Sequence, residues 1–249
     1  MKNRRRFFVA LDNIRSNEIV VQGQDVIHIR NVLRLGLGDA VAIFDGEGFQ
    51  YNAEITSSTR NEVKCKILSR DRIQNESPVE ITLGQSILKG TKLDDIVRKS
   101  CELGVASFVP IVAQRCALKL KLPEQTKKVE RWQKIAMEAS KQSGRARIPS
   151  ILQPINSIEE FCSNNEKYDI KLIFQESENS LRFSDLEREY TPKGKVALLI
   201  GPEGGWTENE IKTAIEHGFQ SVSLGPRILR AETAPIAVLS IVQCFWGDF

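Results

Sequence analysis

The chain has 249 residues, 41% of them hydrophobic, with 35 Lys and Arg against 32 Asp and Glu. That is a globular composition with room for one large domain or two smaller ones, and no apolar run approaches the roughly 20 residues that span a bilayer. Cys65, Cys101, Cys116, Cys162 and Cys244 include no C-x-x-C pair, and there are only two histidines. A disulfide framework, a zinc ribbon and a multi-histidine metal site are therefore not indicated, and reduced cysteines in a cytoplasmic protein are expected.

The positive charge is unevenly placed. Residues 1–72 hold 12 Lys and Arg against 9 Asp and Glu, whereas the remainder is balanced at 23 and 23. Arg4, Arg5 and Arg6 are the densest cluster. A local positive bias suits a polyanionic partner, although a solvated face has the same composition.

In chain order, Arg6 to Leu11 reads as an apolar strand rather than a signal peptide, because Asp12 ends the run and no small-residue cleavage site follows. Val26, Ile29, Val32 and Leu33 recur at helical spacing and predict one short helix over Asp25 to Leu35. Val41 to Phe44 is a strand, followed by the turn signal Asp45-Gly46. Phe49 to Thr56 and Val63 to Ile67 alternate as strands. Several short strands with one helix predict a small barrel over residues 1–72. The polar stretch Asp71 to Pro78 reads as a linker.

Residues 73–249 change to alternating strands and helices. Strands are predicted at Val79 to Leu88, Ser107 to Val112, Ile170 to Phe174, Val196 to Ile200 and Val222 to Leu224. Between them come a helix that stops at Gly104, a long helix from Thr126 to Ser143 and a short one at Ile158 to Cys162. Thr207-Glu208-Asn209-Glu210 is a capping box, so Glu208 to His217 is a helix that Gly218 ends. Thr233 to Phe245 is the last helix. This alternation predicts a mostly parallel sheet covered on both faces.

The usual nucleotide motifs are missing. No G-x-x-x-x-G-K-[ST], no early G-x-G-x-x-G and no G-x-S-x-G is present. His217 falls in the last turn of its helix, where a cation complements the dipole, and His28 reads as a surface or packing residue. What stands out is a pair of glycine-rich loops that follow strands. One is Ile200-Gly201-Pro202-Glu203-Gly204-Gly205-Trp206. The other is Leu224-Gly225-Pro226-Arg227-Ile228-Leu229-Arg230-Ala231-Glu232-Thr233-Ala234-Pro235. Ligands of open α/β sheets bind where such loops leave the carboxyl ends of strands, and two loops can build one pocket. Glycine admits close approach and proline stiffens the chain, so main-chain groups can read a purine edge there. Glu203, Arg230 and Glu232 stand beside the loops and could orient a base and assist proton removal, or could pair with one another.

These two stretches resemble the C-terminal signatures of the RsmE family, ribosomal RNA uridine-N3-methyltransferases of the SPOUT superfamily. The resemblance extends over nearly the whole chain. Arg5-Arg6-Phe7-Phe8-Val9, His28 to Leu35 and Phe44-Asp45-Gly46-Glu47-Gly48 resemble its N-terminal motifs. Lys89-Gly90, Lys99, Glu102 to Val105 and Glu138-Ala139 with Gln142-Ser143-Gly144-Arg145 resemble its central ones. Ala231 and the early Pro235 are mild departures, and proline is tolerated in a first helical turn.

The resemblance implies a PUA-like, RNA-binding β-barrel over residues 1–72 and a SPOUT methyltransferase domain with a trefoil knot over residues 73–249. It implies S-adenosylmethionine as cofactor, held by Phe174 and Gln175, by Ile200, Gly201, Gly204 and Gly205, and by Ser223, Leu224, Gly225, Arg227, Ile228 and Leu229. It also implies a cytoplasmic homodimer acting on a uridine of 16S rRNA, naked or within the small ribosomal subunit, with no membrane and no metal. Contacts to RNA are expected from Arg4, Arg5, Arg6, Arg30, Arg34, Gln142 and Arg145; for Gln142 and Arg145, ordinary helix capping is the competing reading. The sulfonium methyl is already electrophilic, so the hard step is exposing and deprotonating uridine nitrogen 3. Arg230 is expected to stabilise the developing uracil anion, and Glu232 or Glu203 to orient the base or accept the proton. The rivals are a methyltransferase acting on another RNA, a nucleotide-dependent enzyme using the same loops, and a non-catalytic RNA-binding protein of this fold.

Overall fold

The structure, a computed structural model, describes residues 5–116, 122–163, 168–176, 181–186 and 194–249. Arg4 lies outside the described residues. The chain forms two compact units. One runs to Glu76 and includes Ser140–Ile148; the other is Ser77–Ala139 with Pro149–Phe249.

The first unit is built on β1 (Arg6–Phe8), β2 (Glu18–Gln22), α1 (Gln24–Ile27), β3 (Ala40–Phe44), β4 (Phe49–Ser58) and β5 (Glu62–Arg72). The strands form one mixed sheet in the order β1-β3-β4-β5-β2. Only the β1–β3 pairing is parallel. Period-two alternation puts Tyr51, Ala53 and Ile55 of β4 on the same buried face as Val63 and Cys65 of β5. Phe7, Ile19, Val21, Val41 and Ile43 complete that core, so the sheet curls around residues from every strand. Register shifts between Asn52 and Ala53 and between Ile55 and Ser57 assist the bend.

The single helix expected over Asp25 to Leu35 is not continuous. After α1 the chain widens into a π-helical turn at His28–Val32, closed by Leu33 N–H donating to His28 O at 2.9 Å. The extra residue in that turn shifts the register. Val26, Ile29 and Leu35 are buried, while Val32 is turned out and 66% exposed. Arg34 ends the segment with φ +53°, in the left-handed region.

The second unit contains β6 (Glu80–Ser86), α2 (Lys92–Glu102), β7 (Ser107–Ile111), α3 (Leu122–Ser143, its last turn counted with the first unit), β8 (Ser150–Ile151), α4 (Ile158–Cys162), β9 (Ile170–Phe174), β10 (Leu181–Arg182), α5 (Phe183–Leu186), β11 (Lys195–Ile200), α6 (Glu208–Glu216), β12 (Gln220–Ser223) and α7 (Ala234–Trp246). Its seven strands run in the order β10-β12-β9-β11-β6-β7-β8, and every pairing is parallel. The very short β8 and β10 were not expected, since two residues carry no periodicity. The central strands are apolar on both faces, as a doubly covered parallel sheet requires.

Helices α4 and α6 pack together on the sheet through Ile158, Phe161, Cys162 and Ala214. Gly84 of β6 permits that packing. A Cβ there would lie 2.7 Å from Leu199 and 3.0 Å from Phe161 and Ile111, inside normal contact distance. Helices α2 and α7 contact one another elsewhere in this unit, with Ile96, Val97 and Cys101 buried on one and Val238, Leu239 and Val242 on the other. Among the described residues, no helix is long and apolar enough to cross a membrane, and no cluster of His, Cys, Asp and Glu could hold a metal ion.

Candidate functional site

Three neighbouring parallel strands, β12, β9 and β11, end at one cavity of about 640 Å³ in the second unit. Phe174, Gln175 and Glu176 stand at the end of β9, Ile200 to Trp206 at the end of β11, and residues from Ser223 to Glu232 at the end of β12. The volume is that of a small-molecule site, and the carboxyl ends of parallel strands are where open α/β sheets place ligands. Every residue expected to hold a cofactor lines this cavity: Phe174, Gln175, Ile200, Gly201, Gly204, Gly205, Ser223, Leu224, Gly225, Arg227, Ile228 and Leu229. Glu203, Arg230 and Glu232 line it too.

The first glycine loop is held by side chains from other elements. The Arg115 guanidinium, beyond β7, donates to Gly204 O at 3.0 Å and Trp206 O at 3.2 Å. Trp206 is buried, and its indole lies 3.3–3.4 Å from where a Cβ on Gly201 would stand. The capping box of α6 forms as expected, with Glu210 N–H donating to Thr207 Oγ1 and Thr207 N–H to Glu210 Oε2. Glu210 does more than cap. Its other oxygen accepts from the Gln114 N–H at 2.9 Å, so one buried carboxylate ties the start of α6 to the chain after β7.

The second loop is held by its own neighbours. Gln175 N–H donates to Val222 O at 3.1 Å, and the Gln175 amide donates to Ser221 Oγ. Ser223 Oγ accepts from the Gly225 N–H at 3.2 Å and closes a tight turn. Gly225 takes φ +104°, a conformation reserved for glycine. Arg230 O receives the Thr233 and Ala234 amides at the start of α7. Ile228 is 78% exposed.

The charges meet at an unexpected residue. Lys92, the first residue of α2, places its Nζ 3.4 Å from Glu203 Oε1 and 3.2 Å from Glu232 Oε2. Arg230 makes no ion pair within 4 Å among the described residues, so pairing of the glutamates falls to Lys92 and leaves the Arg230 guanidinium exposed. Its own main-chain amide, then Lys92 and Arg230, hold the Glu232 carboxyl below the usual carboxylate range, against the burial that would raise it. Hydrogen bonding to Glu232 and then to Glu203 raises Lys92 above the ordinary lysine value. Burial pushes Cys65 up to about 12 and Cys162 up to about 11, and both remain free thiols.

Residues 75–243 match the RNA methyltransferase domain family, and residues 21–68 match the RNA methyltransferase PUA domain family. The Bacillus subtilis ribosomal RNA small subunit methyltransferase E is 33% identical over 245 residues, covering 96% of this chain and 95% of the relative. The chain belongs to the ribosomal RNA small subunit methyltransferase E family. A methyltransferase E of Neisseria gonorrhoeae, solved bound to S-adenosyl methionine, is 36% identical with a TM-score of 0.89, over 99% of this chain and 100% of that one. A Legionella pneumophila structure solved with bound SAM is 34% identical with a TM-score of 0.88 over the same shares. The seven-stranded sheet thus carries the match to the RNA methyltransferase domain family, and the curled mixed sheet the match to the RNA methyltransferase PUA domain family.

The arginines expected to meet RNA divide into two groups within the first unit of this family member. Arg5, Arg30 and Arg34 are exposed. Arg30 and Arg34, with Asn31, Thr56, Ser57 and Ser58, line a shallow cleft of about 480 Å³. Arg6 and Arg145 are turned to structural use instead. The Arg6 guanidinium stacks 4.1 Å from the Phe44 ring centroid and donates to Gln50, Ser140 O and Arg145 O, and burial lowers it to about 10. Arg145 is 5% exposed and paired with Glu76 at 2.6 Å, while Gln142 is exposed. An arginine count cannot separate these groups, because the carbonyls that capture Arg6 lie 134 and more residues away.

Lys92, Arg115 and Trp206, which line the pocket, were not singled out from the sequence, nor was the second role of Glu210, which accepts from Gln114. Trp206 stood in the glycine motif and Glu210 in the capping box. Lys92 and Arg115 have no local signal, since their partners lie 89 and more residues away in sequence.

Proposed function

We propose that this protein transfers a methyl group from S-adenosylmethionine to nitrogen 3 of a uridine in 16S rRNA, as a cytoplasmic homodimer acting on the small ribosomal subunit or its RNA. The observation that carries the reading is the cavity at the ends of β9, β11 and β12, in a family whose members were solved with that cofactor.

The residues present fit the cofactor. The cavity has an apolar wall from Phe174, Ile200, Leu224 and Leu229, suited to an adenine ring. The buried Trp206 Nε1 has no hydrogen-bond partner among the described residues, an open donor at the pocket. A Cβ on Gly205 or Gly225 would project into open space, which these glycines leave to a ligand. The main chain of the two loops would hold the adenine edge, and the carboxylates would offset the sulfonium charge. Bound there, S-adenosylmethionine supplies a methyl group already activated by its positive sulfur. The protein's part is then alignment and proton handling. Glu232 or Glu203 orients the uracil and takes the nitrogen-3 proton, while the exposed Arg230 guanidinium opposes the charge that develops on a uracil carbonyl.

The first unit would bind RNA through Arg5, Arg30, Arg34 and Gln142, with the adjoining Arg147 also exposed. Binding should then weaken steeply with salt, as phosphate contacts release counterions. Insertion of β11 between β9 and β6 in the sheet order is compatible with a trefoil knot through the two glycine loops. Helix α7 supports the homodimer. Beyond its buried Val238, Leu239 and Val242 it carries Ile236, Ile241 and Phe245 half-buried and Cys244 exposed. A helix apolar on every side is normally covered on every side.

Mass-spectrometric mapping of methylated nucleosides in rRNA, from cells with and without this protein, tests the reaction. Calorimetry with S-adenosylmethionine tests the cofactor. Absence of a 3-methyluridine difference would overturn the substrate, and absence of binding would overturn the chemistry.

A further inference from the structure

Lysine is an odd choice for the first residue of a helix. The amino end of a helix disfavours a cation, and α2 gains nothing there from a side-chain cap, since Thr91 makes no capping hydrogen bond. The local reason is thus missing, and the tertiary one is plain. Lys92 meets Glu203 from the first glycine loop and Glu232 from the second, each within 3.4 Å. No other described residue bridges the two loops by ion pairs.

We propose that Lys92 is a positioning residue for methyl transfer, whose ammonium draws Glu203 and Glu232 together as anions at the rim of the pocket. Two carboxylates converging from separate loops would otherwise repel, so one would take a proton or the loops would part. Neither a protonated nor a displaced glutamate can accept the nitrogen-3 proton. All three side chains keep 30–40% exposure, so the bridge contributes little to folding stability, as for exposed ion pairs generally. A residue with little value to the fold that organises the two candidate proton acceptors has its value in the reaction. The inference rests on the methyltransferase reading of the site.

The charged groups around the trio are Arg230 beside Glu232 on the second loop, Arg227 on the same loop, Arg115 over the first, and Glu176 after β9. With Lys92 present, the depressed Glu232 carboxyl stays ionised as pH falls through the ordinary carboxylate range. With Lys92 gone, the Glu232 carboxyl keeps its main-chain amide and Arg230 but loses the ammonium, and it protonates at higher pH.

The test uses the full-length protein and compares Lys92→Met with Lys92→Arg. Single-turnover methylation of small-subunit rRNA is measured at saturating S-adenosylmethionine between pH 5 and 9. Carboxyl titration by NMR is followed in the cofactor-free protein, with melting temperatures alongside. Lys92→Met is expected to slow the saturated rate ~10-fold or more, a small part of the ~10²–10⁴ of general acid–base catalysis. Its acid limb and a glutamate titration should move to higher pH, with the melting temperature nearly unchanged. Lys92→Arg should restore the rate and the titration. Adding Lys92→Met to a Glu203→Gln, Glu232→Gln protein should cost no further rate, since the lysine acts through those groups. A wild-type saturated rate in Lys92→Met with an unmoved acid limb would overturn the proposal. So would equal slowing in both variants with a lowered melting temperature. If the unsubstituted protein did not methylate rRNA, the methyltransferase reading would fall. The glutamate titration would still decide whether Lys92 holds the pair.

Discussion

The two loops that form the pocket are secured in opposite ways. The first, after β11, is propped from outside by Arg115 and Glu210, with its own Trp206 buried. The second, after β12, is secured by short-range bonds around Ser223 and by the amides that Arg230 O receives. Its Pro226, Arg227 and Ile228 face solvent. The contrast separates two tasks. A wall propped by remote side chains is rigid and suits a ligand of one fixed shape. A wall held mainly by its own turn, with its tip exposed, suits the side from which a large substrate arrives. Lys92 is the ion-pair link between them.

The largest effect should come from the free side of this comparison. Arg230→Ala is expected to slow single-turnover methylation ~10²–10³-fold, the usual cost of losing one transition-state donor. Because Arg230 pairs with no glutamate within 4 Å among the described residues, cofactor affinity and melting temperature should hardly change. A near-normal rate at saturating cofactor and RNA would remove Arg230 from the chemistry.

Next comes the main prop of the rigid loop. Glu210→Ala strips the partner from the Gln114 and Thr207 amides and should cost about 2–3 kcal/mol of stability. For a protein of this size that lowers the melting temperature by roughly 2–4 °C per kcal/mol. An unchanged melting temperature would mean that the first loop is not held from outside.

A smaller effect is expected at Gly204. A Cβ there would stand 3.3 Å from the Arg115 Cβ, so Gly204→Val must push aside the side chain that holds the loop. Affinity for S-adenosylmethionine should fall ~10-fold, equivalent to ~1.4 kcal/mol. Unchanged affinity in the folded variant would refute the idea that the prop shapes the cofactor wall.

The smallest effect should come from Gly225→Ala. No described residue lies within 4 Å of the added methyl, so the effect is the strain of φ +104°, on the order of 1 kcal/mol, together with the crowding of a ligand in that space. A severalfold loss of cofactor affinity, measured by calorimetry, would fit. A loss larger than that of Gly204→Val would invert the comparison and make the second loop the more exacting wall.

Periodicity and turn chemistry, which act within a few residues, made the principal strands and helices of the second unit legible in the chain, along with the Glu208 helix and both of its caps. The glycine loops were legible because clustered glycine and proline after a strand mark a tight turn, and both loops do line one cavity. The π turn at His28–Val32 escaped, because its apolar residues fit helical spacing until the burial of Leu35 selects the register. The ion pairs escaped more completely. That Lys92, rather than Arg230, meets both glutamates depends on α2 beginning beside two loops more than a hundred residues later. That Arg6 and Arg145 serve the fold while Arg30 and Arg34 face solvent depends on which carbonyls and carboxylates the folded chain brings within 3 Å. Local propensity reaches a few residues along the chain, whereas the partners of a charged side chain are chosen by packing, and only the tertiary structure contains that choice.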